Sequence, residues 1–282
     1  MEHVANEPCT IVRGVLYLGP DRKEQMDVYL PAGAEGERFP CIIIFHTDGR
    51  GGSRHRNKKA EIATSLVANG YVTMLAETAA ALHSVANWNE GLVVPGWPNN
   101  LYDCKTAVRY AKKLAGTYPI DPERIGIIGG HLALLAAFTA KHPVMNQGGL
   151  YKEYSSEVKC VVNLYGITDL LSWKHQSYEG IPLGTTASEQ AHQREEIDYV
   201  SLTDTTGPSG DVSPMLIVHG NQDSETDDVD ISEDFMEQLK ETNLARQFVA
   251  AGSTTGEDSG TSNVDLRPVI LRFLDNNLKV SG

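Results

Sequence analysis

Arg124-Ile125-Gly126-Ile127-Ile128-Gly129-Gly130-His131-Leu132-Ala133-Leu134-Leu135 is the stretch that decides the fold. Residues 124–128 are a short apolar run and read as a buried strand. The run leads, through two glycines, into an alanine- and leucine-rich stretch, residues 132–141, that reads as a helix. The alternation continues on both sides. Upstream, residues 40–45 are apolar at every position, the mark of a strand covered on both faces. Residues 57–69 read as a helix stopped by Gly70, and residues 71–75 as the next strand. An irregular stretch, 76–96, ends at Trp97-Pro98 and opens a helix over 99–116, with Leu101, Cys104, Val108, Ala111 and Leu114 on one face. Downstream, strands are expected at 158–164, 215–219 and 247–250, and helices at 231–242 and 264–278. Two strands open the chain, 11–18 and 25–30, split by Gly19-Pro20-Asp21; Met26, Val28 and Leu30 alternate as in a half-exposed hairpin. The expected fold is α/β: a mostly parallel, twisted sheet of about eight strands flanked by helices in one domain. The polar, loop-rich stretch 167–208 is expected to form a small lid or cap.

Composition narrows the function classes. The chain has 282 residues, 41% hydrophobic and 22% charged, which is globular rather than disordered or coiled-coil. Lys plus Arg number 24 against 37 Asp plus Glu, a net charge of −13. Such a chain lacks the basic footprint that nucleic acid or an anionic membrane requires. No apolar stretch approaches the ~20 residues of a membrane span. Residues 1–10 carry acids and no apolar core, so they do not read as a signal peptide, and a cytoplasmic setting is expected. The four cysteines, Cys9, Cys41, Cys104 and Cys160, form no CxxC pair, and Cys41, Cys104 and Cys160, set in apolar patterns, read as buried thiols. The nine histidines show no His-x-x-x-His spacing, so no metal site is expected, and no cofactor either. The segment Arg54-His55-Arg56-Asn57-Lys58-Lys59 is locally basic and reads as a solvated helix start.

Several motifs in order along the chain carry a family resemblance. They are Pro20-Asp21 through Met26-Asp27-Val28-Tyr29-Leu30-Pro31, the apolar strand ending in His46, and Trp97-Pro98 followed by Asp103-Cys104-Lys105-Thr106-Ala107-Val108-Arg109. Further on come Ile120-Asp121-Pro122-Glu123-Arg124-Ile125-Gly126, Gly130-His131-Leu132-Ala133, His219-Gly220-Asn221-Gln222-Asp223 and Asp265-Leu266-Arg267-Pro268. Across nearly its whole length the chain resembles the α/β-hydrolases, nearest to small carboxylesterases and acetyl esterases of the hormone-sensitive-lipase or polysaccharide-esterase type. The resemblance implies ester hydrolysis by a serine on a tight strand-to-helix turn, a histidine base, an acid that orients it, and a glycine-rich oxyanion loop.

This sequence departs from that pattern at three places. The Gly-x-Ser-x-Gly turn falls at Gly129-Gly130-His131, about four residues shorter than the family pattern, and no Ser, Cys, Thr, Asp or Glu occurs from Ile127 to Phe138. The first hydroxyl is Thr139, more than two helical turns on. His-Gly-Gly-Gly reads His46-Thr47-Asp48-Gly49 here. Thr47 is β-branched where glycine gives freedom. Asp48 would set a carboxylate beside the developing oxyanion, at a cost of several kcal/mol for like charges ~4 Å apart. A single missing oxyanion donor already costs about 3–4 kcal/mol. Asp223 matches the triad acid, but the family histidine position falls at Gly252-Ser253-Thr254, and no histidine follows His219.

The expected function is therefore an esterase-like fold that has lost the triad serine and histidine. It would bind a small molecule, or be repurposed for lyase- or cyclase-like acid–base chemistry. The alternative is a carboxylic-ester hydrolase using another constellation. Candidate catalytic residues are Asp223, His131 and Asp48, the last two as an acid–base pair. Candidate binding residues are His46, Thr47, Gly49, Gly129, Gly130, Trp97 and Ser253. Trp88, Trp97 and Tyr102 flank the 76–96 stretch, as a substrate wall or as pins for that loop. The expected partner is a small-molecule ligand or ester-like substrate, and a homodimer through an edge strand or terminal helix stays open.

Overall fold

Ile42, Ile43 and Ile44 run beside Gly126, Ile127 and Ile128 in parallel register, and this pair of strands forms the middle of the sheet. The computed structural model describes residues 9–33, 36–47, 52–79, 98–164, 166, 213–220, 246–251 and 265–279. Its strands are β1 (Cys9–Val15), β2 (Met26–Pro31), β3 (Phe39–Thr47), β4 (Val72–Thr78), β5 (Ile120–Gly129), β6 (Cys160–Leu164), β7 (Met215–Gly220) and β8 (Arg246–Ala251). The described helices are α1 (Gly52–Ala68), α2 (Asn99–Leu114), α3 (His131–Phe138) and α4 (Arg267–Leu278). The eight strands form one sheet in the order β1-β2-β4-β3-β5-β6-β7-β8. Only β2 is reversed among them, antiparallel to both β1 and β4.

Two apolar layers cover this sheet. Cys41, Ile43, Phe45, Ile127 and Val161 meet Leu101, Cys104, Val108 and Ala111 of α2 and residues Ala133 to Ala137 of α3. On the other face Ile42, Ile44, Ile128 and Val162 meet Leu66 and Val67 of α1 and Phe273, Leu274 and Leu278 of α4. Each buried aliphatic side chain contributes on the order of 2 kcal/mol. Gly126 lets the layers close, because a Cβ there would lie 3.0 Å from both Cys160 Sγ and Leu278 Cδ1.

Several element limits differ from expectation, each for a physical reason. The first strand ends at Val15, not 18, because Tyr17 N–H turns back to Val15 O and Gly19 N–H to Leu16 O. The β2 hairpin is not half-exposed: Met26, Asp27, Val28 and Tyr29 are all buried, since β2 lies second in the sheet. Buried Asp27 accepts the Gly14 N–H at 2.9 Å and faces Arg13 at 3.3 Å. β5 begins at Ile120 rather than 124. Its register against β3 slips between Phe39–Ile120 and Cys41–Ile125, so Pro122 sits in an irregularity where no ladder donor is needed. The helix over 99–116 ends at Leu114, and α1 begins at Gly52 rather than 57. Gly70, at φ +77°, stops the turn after α1 as expected.

α3 ends at Phe138 instead of 141. Past Phe138 the chain tightens: Ala140 N–H bonds Ala137 O at 3.4 Å and His142 N–H bonds Thr139 O at 3.1 Å, ahead of Pro143, which has no N–H. Lys105 Nζ is a second donor to Thr139 O, at 2.6 Å. The expected helix at 231–242 and lid at 167–208 lie outside the described residues.

A buried ion pair ties the opening hairpin to α2. Arg22 grips Asp103 with both terminal nitrogens, at 3.1 and 2.7 Å, and donates from Nε to Glu24 at 2.8 Å. Asp103 also accepts the Ala79 N–H at 2.8 Å, which fixes the chain as it leaves β4. Tyr17 adds its hydroxyl to Glu77 O. Removing one partner of such a pair strands the other charge in the interior. Arg22→Met is expected to lose about 3–5 kcal/mol in chemical denaturation, and Arg22→Met with Asp103→Leu to recover part of it.

Candidate active site

The sheet order places a crevice at one point. The connection from β3 leads outward to β4, while the connection from β5 leads the other way to β6. Between their carboxyl ends the chain diverges, and open α/β sheets bind ligands at such a switch point. Three described segments converge there. β3 ends with His46 and Thr47 beside Glu77 and Thr78 of β4. β5 ends at Gly129, whose partner in β6 is Asn163. α3 starts at His131, so Gly130 alone joins strand to helix.

The geometry of this turn is unlike a nucleophile elbow. An elbow holds its nucleophile on a sharp, strained turn. Here Gly130 has φ −100° and ψ −141°. The described residues with left-handed φ are Tyr151 and six glycines, none of them between Gly129 and Leu132. Gly129 is nonetheless crowded, while a Cβ on Gly130 would make ordinary van der Waals contacts. A Cβ on Gly129 would lie 3.0 Å from Ala133 Cβ and 3.5 Å from Phe45 Cβ. A Cβ on Gly130 would lie 3.4 Å from Gly166 Cα and 3.8 Å from Leu164 O. Gly166 rests directly on the turn, where any side chain on it would collide with His131 N and Asn163 Oδ1. The side chain of Asn163 holds it there, donating to Gly166 O and accepting from Gly166 N, both at 3.1 Å.

Of the residues expected in the site, Gly129, Gly130 and His131 share this turn, with His131 half-buried at the first position of α3. His46 and Thr47 are placed by their backbone, and that is a correction. They belong to β3 and not to a loop, because β-branched Thr47 extends the ladder opposite Thr78. Asp48, Gly49, Trp97, Asp223 and Ser253 lie outside the described residues, as does Trp88. Asp223 follows β7 by three positions and Ser253 follows β8 by two. Tyr102 lies on α2, where its ring packs against Gly148.

Two residues of the crevice were not singled out from the sequence. Asn163 is fully buried and holds Gly166 against the turn; the only signal was one amide in an otherwise apolar strand. His219, in β7, is 1% exposed, and nothing local separated it from a strand-end histidine. Among the described residues no three His, Cys, Asp or Glu side chains could share a metal ion, and no helix is long and apolar enough to cross a membrane.

Comparison with known proteins agrees with the architecture. Over 151 residues the chain is 28% identical to the probable carboxylic ester hydrolase LipM of Mycobacterium tuberculosis, covering 51% of this chain and 34% of that protein. Over 239 residues it is 26% identical to the esterase LipC of the same organism, covering 81% of this chain and 55% of LipC. The chain thus spans about a third to a half of the length of these curated relatives. Among solved structures, a truncated carbohydrate esterase from gut microbiota superposes with a TM-score of 0.72 at 20% identity, covering 98% of this chain and 99% of that one. A thermophilic esterase of Thermogutta terrifontis gives 0.66 at 18% identity, covering 98% and 95%. At such identities the structures speak for the fold alone. The sequence model of the BD-FAE family matches residues 26–239, from β2 to past β7, and takes in the whole crevice. With that match, the mostly parallel sheet and its switch point, the chain belongs to the BD-FAE family of α/β-hydrolases.

Proposed function

We propose that this chain binds a carboxylic-ester type of small molecule in the crevice between β3 and β5 and does not follow the serine acyl-enzyme route. The observation that carries this reading is the turn Gly129-Gly130-His131. It offers no hydroxyl, thiol or carboxylate, none of its residues has a left-handed φ, and Gly166 lies against it. The first hydroxyl along α3, on Thr139, is fully buried and donates to Leu135 O at 2.6 Å. It is no substitute nucleophile. The ester class comes from the family and from the names of LipM and LipC. The chemistry left to the crevice is acid–base: a histidine at the start of α3 with Asp48 as its partner would move protons on a bound ligand without a covalent intermediate.

The family membership also favours a second reading, in which the chain hydrolyses esters through a different set of groups. There His131 acts as general base on water, and the positive end of α3 steadies the oxyanion. This route forgoes the nucleophile and the oriented oxyanion donors, each worth several kcal/mol in the transition state.

The two readings separate on p-nitrophenyl acetate. The first expects hydrolysis by the purified chain at the rate of buffer alone and no labelling by a fluorophosphonate. Labelling, with turnover lost on labelling, would overturn it. Turnover without labelling, abolished by His131→Ala, would establish the second. A further expectation follows from the crowding of the turn. Gly130→Ser should gain no activity, and Gly129→Ser should lose about 1–3 kcal/mol of stability by denaturant titration, since its Cβ would lie 3.0 Å from Ala133 Cβ.

A further inference from the structure

Lys105 is fully buried on α2 and takes no part in the crevice. Its ammonium donates to Thr139 O at 2.6 Å and reaches Asn146 Oδ1 at 3.5 Å. Arg109, one turn further along α2, is 2% exposed. Its guanidinium donates to Gly148 O at 2.8 Å, Asn146 O at 3.1 Å and Asn146 Oδ1 at 2.7 Å. Ser156 adds its hydroxyl to Asn146 Oδ1 at 2.8 Å. Leu150 N–H closes the segment onto Thr106 Oγ1 at 3.0 Å. Two buried basic side chains therefore hold the chain from Thr139 to Leu150, and every oxygen they use is neutral.

Among the described residues, the charged and titratable groups around Lys105 supply no counter-charge. On α2 they are Arg109, the thiol of Cys104, which burial holds protonated, and Asp103, which is committed to Arg22. From the segment after α3 the group is His142, and Lys105 is one cause of its lowered pKa. The acids beyond, Glu153 and Glu157, are exposed, and Glu157 pairs with Lys141 at 2.9 Å.

We propose that Lys105 is a proton-controlled latch on the segment that follows α3: with its amine neutral the segment closes on α2, and with its amine protonated the segment tends to open. The cause is the cost of two like charges in one dry cluster. A guanidinium does not release its proton, so the lysine must. Burial, with Arg109 beside it, lowers the amine from its ordinary 10.5 to about 7. Opening returns Lys105 to water and to its ordinary affinity for a proton. Between about 7 and 10.5 the open state therefore binds more protons than the closed one. The closed segment gains stability as pH rises through that window and is insensitive to this group below it. His142 acts elsewhere on the pH scale. Its Nδ1 accepts from Val144 N–H at 3.2 Å and Met145 N–H at 3.1 Å, and burial lowers its pKa below 6.5, so its protonation acts on the acid side. α3 carries His131 at its other end, so the latch bears on the helix that forms the wall of the crevice.

The test uses the intact chain. In protein labelled at lysine Cε with carbon-13, one lysine resonance absent from Lys105→Met should titrate near pH 7. A Lys105 resonance titrating above about pH 9.5 would overturn the proposal. In urea unfolding, the folding constant of the wild type relative to Lys105→Met should rise by up to about tenfold per pH unit between pH 7 and 10. A ratio independent of pH would mean that Lys105 is only a hydrogen-bond donor and would also overturn it. Lys105→Arg, which cannot shed its charge, should be less stable than the wild type at pH 9.

Discussion

The parallel pairing of β3 with β5 is the contact on which the rest of this protein depends. Both strands are covered on both faces, so Ile42, Ile43 and Ile44 and their partners Ile127 and Ile128 leave water completely. Gly126 keeps the two strands close to β6 and α4, because no side chain fits between Cys160 and Leu278. The pairing also joins the two strands whose connections diverge, and so it creates the crevice. The core and the site are two consequences of one register.

That register brings the carboxyl ends of β3, β5 and β6 to the same edge, with Gly130 alone between β5 and α3. Gly166, held by Asn163, fills the space against it. The proposed absence of a serine route therefore rests on the backbone of this turn, which has no left-handed φ, as well as on its side chains.

Buried charge is handled in two different ways in the same helix. Asp103 of α2 meets Arg22 in a bidentate pair, and the charges compensate. Two and six positions later, Lys105 and Arg109 donate to backbone carbonyls and to the amide oxygen of Asn146. The first arrangement fastens the hairpin while Asp103 is ionised, and because burial raises the Asp103 pKa the grip weakens toward acid pH. The second stays closed by shedding a proton. Both follow from the rule that the interior tolerates charge only when it is matched or removed.

Much of this was legible in the chain itself. Apolar runs at 40–45 and 124–128, the stripe Leu101, Cys104, Val108 and Ala111, and the stop at Gly70 specify a parallel sheet with helices on both faces, because periodicity and glycine act locally. The absence of a hydroxyl from Ile127 to Phe138 was likewise plain from the order of residues alone. Tertiary structure decided what depends on neighbours distant in sequence. Asp27 and Tyr29 are buried only because β2 lies between β1 and β4. Past the end of α3, Lys105, thirty-four positions before Thr139, adds a side-chain donor to the Thr139 carbonyl. Asn163 becomes part of the site only when β6 pairs with β5 and carries Gly166 onto the turn. A sequence states which groups a chain possesses, but their solvation and partners are set by the packing of segments far apart along it.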